Sequence, residues 1–214
     1  SGSRDDARNQ LQVIVDYVEE YCQAAGIKQL NGICLPALHD VIRGSELTPI
    51  NKAAAQGIVV PVGIYDDPER QDQDNYCMNL SDNNSYIIGS AMTGKTTLLQ
   101  TILLQLMRYY TPQDVNVYII DCGNMTLKVF EDSNIIGGVT FAAEEDRVIN
   151  LFKLLFRIVA ERKKIFSEKG LGTHKAYKEA GYTDMPQIVL IIDNLASFRE
   201  YYDNLSDDFL ALSR

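Results

Sequence analysis

The stretch Gly89-Ser90-Ala91-Met92-Thr93-Gly94-Lys95-Thr96 decides how the rest of this 214-residue chain is interpreted. It matches the pattern G-x-x-x-x-G-K-[ST], follows the short apolar run Tyr86–Ile88, and opens a helical pattern that begins near Lys95. A loop in that position presents backbone N–H groups and the positive end of a helix dipole to phosphate oxygens. Lys95 is expected to reach the outer phosphate oxygens, and the Thr96 hydroxyl to bind Mg²⁺. We therefore predict a nucleotide-binding loop made of Gly89, Ser90, Ala91, Met92, Thr93, Gly94, Lys95, Thr96 and Thr97. The alternative is a glycine-rich turn that binds nothing.

A second motif lies farther along the chain, where the uninterrupted apolar run Ile188–Ile192 ends at Asp193. Such a run is typical of a central strand that is covered on both faces, and therefore of a parallel sheet. In phosphate-loop enzymes a carboxylate at the end of a later strand completes the Mg²⁺ site. We therefore predict that Thr96 and Asp193 are the Mg²⁺ residues. Taken alone, Asp193 is more typical of a helix N-cap, and the phosphate loop upstream is what favours the Mg²⁺ role.

Two residues of these motifs favour binding over turnover. Asn194 follows Asp193, where many hydrolysing relatives of such loops carry a glutamate that orients and helps to deprotonate water. A carboxamide has no useful basicity near neutral pH, so general-base assistance of about 10²–10⁴-fold is missing. Met92 stands where such loops often carry glycine or another small residue. If its backbone is left-handed, it costs about 1–2 kcal/mol. No residue is predicted to be catalytic.

Alternating strand and helix patterns predict an α/β fold with a central, mostly parallel sheet flanked by helices. Strands are predicted at Val115–Ile120, 135–141 and Gln187–Ile192. Helices are predicted at Lys95–Tyr110 and 143–169, and the second of these begins with acids and ends with bases, as a helix dipole favours. Tyr86–Ile88 is predicted to be a short buried strand that leads into the phosphate loop.

The region before residue 50 has a different character. Apolar residues recur at spacings of three and four between Asp6 and Ala25, which predicts an amphipathic helix that ends at Gly26. The segment that follows is interrupted by glycine and proline residues and has no clear periodicity, which indicates a connector. We predict an N-terminal helix and linker over residues 1–50 and a nucleotide-binding domain over residues 51–214, whose C-terminal part is incomplete.

The start of the second region is predicted to form a hairpin. Gly57–Ile64 is rich in β-branched residues, and its Pro61 favours an edge strand. Tyr76–Leu80 alternates weakly and can pair with it.

Composition and charge disfavour several classes of partner and of site. The formal net charge of −9, from 20 basic and 29 acidic residues, disfavours tight nonspecific binding of nucleic acid. The four cysteines, Cys22, Cys34, Cys77 and Cys122, form no C-x-x-C pair, which disfavours a metal or disulfide framework. No apolar stretch approaches the roughly 18 residues needed to cross a bilayer, so this sequence itself is typical of a soluble protein.

The order of motifs resembles the FtsK/SpoIIIE family of P-loop ATPases. The phosphate loop Gly89–Thr96 is similar to the family form G-A-T-G-S-G-K-[ST]. Downstream, the charged helix segment Ala160–Phe166 and the elements Lys169–Leu171 and His174–Tyr177 follow in the family's order. Met185–Asn194 is similar to P-x-I-V-x-[IV]-I-D-E. The resemblance covers about residues 55–200 and implies a RecA-like P-loop NTPase fold, with ATP and Mg²⁺ as ligands.

Within that family the chain looks most like a C-terminal module of the EssC/EccC group, the membrane-anchored ATPases of type VII secretion in Gram-positive bacteria. Residues Gln29–Leu38 are similar to the linker that joins successive modules in that group. The resemblance implies neighbouring ATPase modules, small helical Esx-type proteins as exported substrates, and a hexameric or ring-like arrangement. It also implies a cytoplasmic location, with membrane attachment only through N-terminal regions absent from this chain.

Three functions remain open at this point. The first is an ATP-binding secretion module with weak or absent hydrolysis. The second is a DNA-translocating motor of the same superfamily, which the acidic balance and Asn194 disfavour. The third is a nucleotide-independent module that docks the tail of an exported substrate.

Overall fold

The computed structural model describes residues 10–27, 35–52, 54–81 and 83–212. These residues fall into two compact units. One contains the residues up to His39 together with Asp66–Gln73, and the other contains Asp40–Tyr65 together with the described residues from Asp74 onward. A domain boundary near residue 50 stays a prediction.

The first unit contains helix α1, Gln10–Ala24. Its chain then turns at Gly26, whose φ of +66° lies in the left-handed region that glycine adopts without a steric cost. None of the residues of α1 is buried. The predicted helix start at Asp6 and the linker residues 28–34, including Cys34, lie outside the described residues.

A two-stranded sheet pairs strand β1, Val59–Asp67, with strand β2, Asp72–Asn79. The predicted pairing is confirmed, although both strands extend farther into the acidic turn than the sequence pattern indicated. Tyr110 holds β1 in place, because its hydroxyl accepts the N–H of Val59 at 2.8 Å and donates to the carbonyl of the same residue at 2.8 Å.

The sheet of the second unit has three parallel strands. They are β3, Val115–Asp121, β4, Ile136–Phe141, and β5, Gln187–Asp193, in the order β4-β3-β5. β3 and β5 run in register from Val115 opposite Gln187 to Asp121 opposite Asp193. The predicted α/β class with a parallel sheet is therefore confirmed. Among the described residues β5 pairs only with β3, so it is an edge strand rather than the central strand that its apolar run predicted.

The helices of this unit are α2, Lys95–Tyr109, α3, Glu145–Glu168, α4, His174–Glu179, α5, Leu195–Tyr201, and α6, Ser206–Leu212. Short 3₁₀ helices occupy Lys128–Phe130 and Asp203–Leu205. Within the described residues, no helix combines the length and apolar character needed to cross a bilayer.

Two apolar layers cover the two faces of the sheet, because side chains alternate along each strand. In β3, Val117 and Ile119 pack with residues of α2 on one face, whereas Ile120 packs with residues of α3 and α5 on the other. β5 follows the same rule, with Val189 on the α2 side and Leu190 on the α3 side. The carboxyl ends of the strands thus face the start of α2.

One strand prediction is wrong. Tyr86–Ile88 is not part of either sheet, and the side chains of Tyr86 and Ile88 are 64% and 92% exposed. Three apolar residues do not specify a strand unless a neighbouring strand pairs with their backbone groups. Among the described residues these three have no such partner. Only Ile87 packs partly against the α2 layer.

The packing of α2 gives a test of this core with two adjacent leucines. Leu103 is completely buried, whereas Leu104 is 57% exposed. Leu103→Ala is expected to lower the free energy of unfolding by about 2–5 kcal/mol, because it leaves a cavity in the core. Leu104→Ala is expected to change it by no more than about 1 kcal/mol. Urea unfolding followed by circular dichroism measures both, and equal losses for the two variants contradict this packing.

Candidate nucleotide site

The phosphate loop changes direction through two residues with positive φ. Gly94, at +87°, is the N-cap of α2, and it provides no side-chain cap. The N–H groups of the first turn of a helix can bind an anion when no side chain caps them. Met92 has a φ of +62°, so its backbone is left-handed. This conformation costs about 1–2 kcal/mol for a residue other than glycine. The Met92 side chain is fully exposed.

Thr93 closes the loop on itself. Its hydroxyl donates to the carbonyl of Ser90 at 2.8 Å. A Cβ on Gly89 would lie 2.6 Å from that same hydroxyl oxygen, so glycine is required there for the loop to close. Ser90 and Ala91 are exposed at the bend of the loop, and Thr97 is exposed on the first turn of α2.

Lys95 folds its side chain along the loop. Its ammonium group donates to the carbonyl of Gly89 at 3.0 Å and to that of Ser90 at 2.6 Å. A lysine in this position is a mobile point charge that can exchange carbonyl partners for phosphate oxygens. The charge is therefore held at the loop that the sequence assigned to phosphate.

Thr96 and Asp193 lie in direct contact. The Thr96 hydroxyl donates to Asp193 Oδ2 at 3.1 Å, across 97 residues of sequence. Asp193 ends β5 with only 8% of its surface exposed. The structure thus brings together the two residues that the sequence predicted for Mg²⁺. A hydroxyl and a carboxylate are hard oxygen donors of the kind that hold Mg²⁺ when nucleotide phosphates supply further ligands, so these residues fit the ion.

Asn194 has a structural task. Its backbone is left-handed, with φ 58° and ψ 65°, and it is the N-cap of α5. Its Oδ1 accepts the N–H of Ser197 at 3.3 Å, and its Nδ2 donates to the Ser197 hydroxyl at 2.7 Å. Nδ2 also donates to the carbonyl of Cys122 at 3.5 Å. Asparagine tolerates a left-handed backbone better than most residues, and it is among the best N-caps.

Asp121 is the residue of this site that sequence reasoning undervalued. From the sequence, an aspartate at a strand end with Gly123 in a turn is more often solvated than close to a nucleotide, but the side chain of Asp121 is 1% exposed and lies beside Asp193 in the parallel register. The expected turn at Gly123 is present, since Asp121 Oδ1 accepts the N–H of Gly123 at 2.9 Å. The signal was available in the sequence, because parallel strands that both end in aspartate place the two carboxylates at one sheet edge.

The field at this edge is negative. Burial, together with the carboxylates of Asp121 and Asp193, raises the pKa of the Cys122 thiol to about 11. The thiol therefore stays protonated at neutral pH.

A cleft of about 930 Å³ runs from the phosphate loop along β5. Gly89, Lys95, Asp193 and Asn194 line one end of it. Ligand sites of this size at the carboxyl ends of parallel strands are typical of open α/β sheets.

The sequence of this chain matches a known protein family. The family model described as FtsK/SpoIIIE family matches residues 45–199, which is most of the sequence. The chain belongs to the FtsK/SpoIIIE family.

Its curated relatives are type VII secretion ATPases. It is 27% identical over 214 residues to the ESX secretion system protein EccC of Geobacillus thermodenitrificans and 29% identical over 216 residues to YukB of Bacillus subtilis. Each comparison covers 99% of this chain but 14% of the relative. The chain therefore spans about one seventh of the length of these relatives.

Solved structures agree with this placement. EssC (ATPases 2 and 3) from G. thermodenitrificans superposes with a TM-score of 0.71 at 28% identity, over 83% of this chain and 33% of that one. EccC (ATPases 2 and 3) of Thermomonospora curvata, in complex with a signal sequence peptide, gives 0.65 at 26% identity, over 78% of this chain and 34% of that one. The fold is thus that of the P-loop ATPase domains of EssC/EccC proteins.

The cap role of Asn194 yields a test with two acidic substitutions. Asn194→Asp keeps a short side chain that caps a helix and tolerates the left-handed backbone, so stability is expected to change by no more than about 0.5 kcal/mol. Asn194→Glu is expected to lose about 1–3 kcal/mol, because it strains the backbone and removes the cap. Urea unfolding distinguishes them. A glutamate variant as stable as the wild type contradicts the structural role of Asn194.

Proposed function

We propose that this chain is an ATP-binding module of a type VII secretion ATPase, and that it binds ATP together with Mg²⁺. The single observation that carries the proposal is the hydrogen bond between Thr96 and Asp193. It joins the phosphate-loop helix to the aspartate strand at the end of a cleft that also contains Lys95. Family membership supports the nucleotide, since the relatives are ATPases.

The roles of the residues follow from their positions. The N–H groups of the loop Gly89–Gly94 and of the first turn of α2 receive the phosphate oxygens. Lys95 neutralises their outer charge after it leaves the loop carbonyls. Thr96 and Asp193 hold the Mg²⁺, which neutralises phosphate charge when the nucleotide is bound.

Hydrolysis is proposed to be weak or absent. The position after Asp193 carries no carboxylate, and the Asn194 carboxamide is committed to the cap of α5. No group at this position can accept a proton from water, so the rate gain of about 10²–10⁴ that a general base supplies is lost. Bound nucleotide then stabilises the module rather than driving a cycle.

The wider setting is proposed from the relatives. Their names place them in type VII secretion, and one solved relative holds a signal sequence peptide. We accordingly assign as partners neighbouring ATPase modules, a hexamer of the full-length protein and small helical Esx-type substrates. The module belongs on the cytoplasmic side of the cell membrane, and the acidic balance argues against DNA.

Thermal unfolding tests nucleotide binding. With Mg-ATP at about a hundred times its dissociation constant, the folded state gains about 2.7 kcal/mol, which raises the unfolding midpoint by roughly 5–10 °C. Lys95→Ala is expected to weaken ATP binding at least about tenfold and to remove most of this shift. The matched control is Lys153→Ala, on the exposed face of α3, which is expected to keep it. No shift for the wild type at millimolar Mg-ATP rejects the proposal.

Phosphate release tests the hydrolysis statement separately. With saturating Mg-ATP, the wild type is expected to release phosphate at a rate close to that of Lys95→Ala, because Asn194 supplies no general base. A coupled phosphate assay at constant protein concentration measures the rates. A wild-type rate near 1 s⁻¹ that Lys95→Ala abolishes shows that Asn194 does not prevent turnover.

A further inference from the structure

A second carboxylate stands beside the proposed cation residue. Asp121 ends β3, and its Cα is the register partner of the Cα of Asp193 at the end of β5. The two side chains are 1% and 8% exposed, so neither charge is well solvated. Two buried carboxylates of like charge are unfavourable as neighbours unless something positive lies near them.

The two carboxylates converge on Gly123. A Cβ built on that glycine would lie 3.4 Å from Asp121 Oδ1 and 3.3 Å from Asp193 Oδ2. The two carboxylate oxygens therefore border the same small space next to Gly123. Glycine leaves this space free, whereas a Cβ there would be tight against Asp193 Oδ2 and in ordinary contact with Asp121 Oδ1.

No side chain neutralises this pair. Over residues 10–27, 35–52, 54–81 and 83–212, neither aspartate forms an ion pair with a basic group. The ammonium group of Lys95, which lies in the same site, donates to the carbonyls of Gly89 and Ser90. The negative charge at this edge of the sheet is left for a cation that comes with a ligand.

Asp121 does not need to touch that cation. Its Oδ1 accepts the N–H of Gly123 at 2.9 Å, and its Oδ2 accepts the N–H of Leu127 at 3.1 Å. Both oxygens are thus committed to the loop that follows β3. Asp193 differs, because its described partner is the hydroxyl of Thr96, which can itself bind a metal ion.

We infer that Asp121 is a positioning residue for the cation of the proposed nucleotide site, acting through its charge and through the loop from Cys122 to Leu127. This inference rests on the proposed function. Its carboxylate strengthens the attraction of the site for Mg²⁺, and it holds Gly123 against Asp193. In the absence of Mg²⁺, the same charge repels the phosphates of the nucleotide.

This double effect gives the inference its test. ATP affinity is measured by calorimetric titration of the folded protein, once with excess Mg²⁺ and once with EDTA. Asp121→Asn is expected to weaken Mg-ATP binding by about tenfold and to leave metal-free ATP binding equal or tighter. The ratio of the dissociation constant in EDTA to the dissociation constant in Mg²⁺ therefore falls. Structural damage alone weakens both and leaves the ratio unchanged.

Asp114→Asn is the matched control. Asp114 directly precedes β3 at the opposite end, where its carboxylate accepts hydrogen bonds from Lys52 and from the N–H and hydroxyl of Thr111. Removing that charge costs local hydrogen bonds of the same kind, but it lies far along the strand from Asp193. The ratio of dissociation constants is expected to stay at the wild-type value.

The outcomes separate this inference from the proposed function. If the wild type binds ATP in neither condition, the proposed function fails. If the wild type binds Mg-ATP and Asp121→Asn keeps the wild-type ratio, only the positioning role of Asp121 is overturned. If Asp121→Asn does not fold, Gly123→Ala serves instead, since it keeps both charges and places a methyl group 3.3 Å from Asp193 Oδ2 and 3.4 Å from Asp121 Oδ1. The ratio is then expected to fall at least about threefold, and an unchanged ratio overturns the inference.

Discussion

One hydrogen bond, from the Thr96 hydroxyl to the Asp193 carboxylate, connects the two halves of the proposed nucleotide site. The start of α2 is built from local turns, whereas Asp193 is placed by the parallel register of β5 against β3. Neither arrangement specifies the other through local sequence. Their contact therefore depends on how the apolar face of α2 packs on the sheet, and the chemistry of the site depends on the same packing.

Turns, strands and helices that are specified by their own local sequence were predictable. The turn at Gly94, the apolar run of β5 and the helical pattern of α2 each carry a local signal, and the turn, the strand and the helix are present. Tyr86–Ile88 was predicted wrongly, because a strand exists only where a neighbour pairs with it. The edge position of β5 was also missed, since an apolar run reports covered faces and not the number of paired neighbours.

The burial of Asp121 shows another limit of pattern reasoning. A strand-end aspartate followed by a glycine is most often solvated, and the sequence offers no measure of depth. What buries this carboxylate is the loop that folds back to donate two N–H groups to it. That loop is held by tertiary packing of Leu127, which is fully buried. Accessibility here is a property of the assembled fold and not of the residue.

Asn194 illustrates how a substitution in a family motif can be tied to its own backbone. Its left-handed conformation and its capping hydrogen bonds suit asparagine and suit glutamate poorly. Replacing Asn194 by a glutamate would therefore alter the start of α5 as well as the chemistry of the proposed site. The residue is part of the scaffold.

The separation of Thr96 and Asp193 also has a consequence for biosynthesis. At ordinary elongation rates the ribosome takes roughly 5–20 s to add the 97 residues that lead from Thr96 to Asp193, counting Asp193 itself. For that interval the nascent polypeptide presents a glycine-rich loop without its acidic counterpart. Under the proposed function, a nucleotide that arrives during translation meets only half of the site until β5 has joined the sheet.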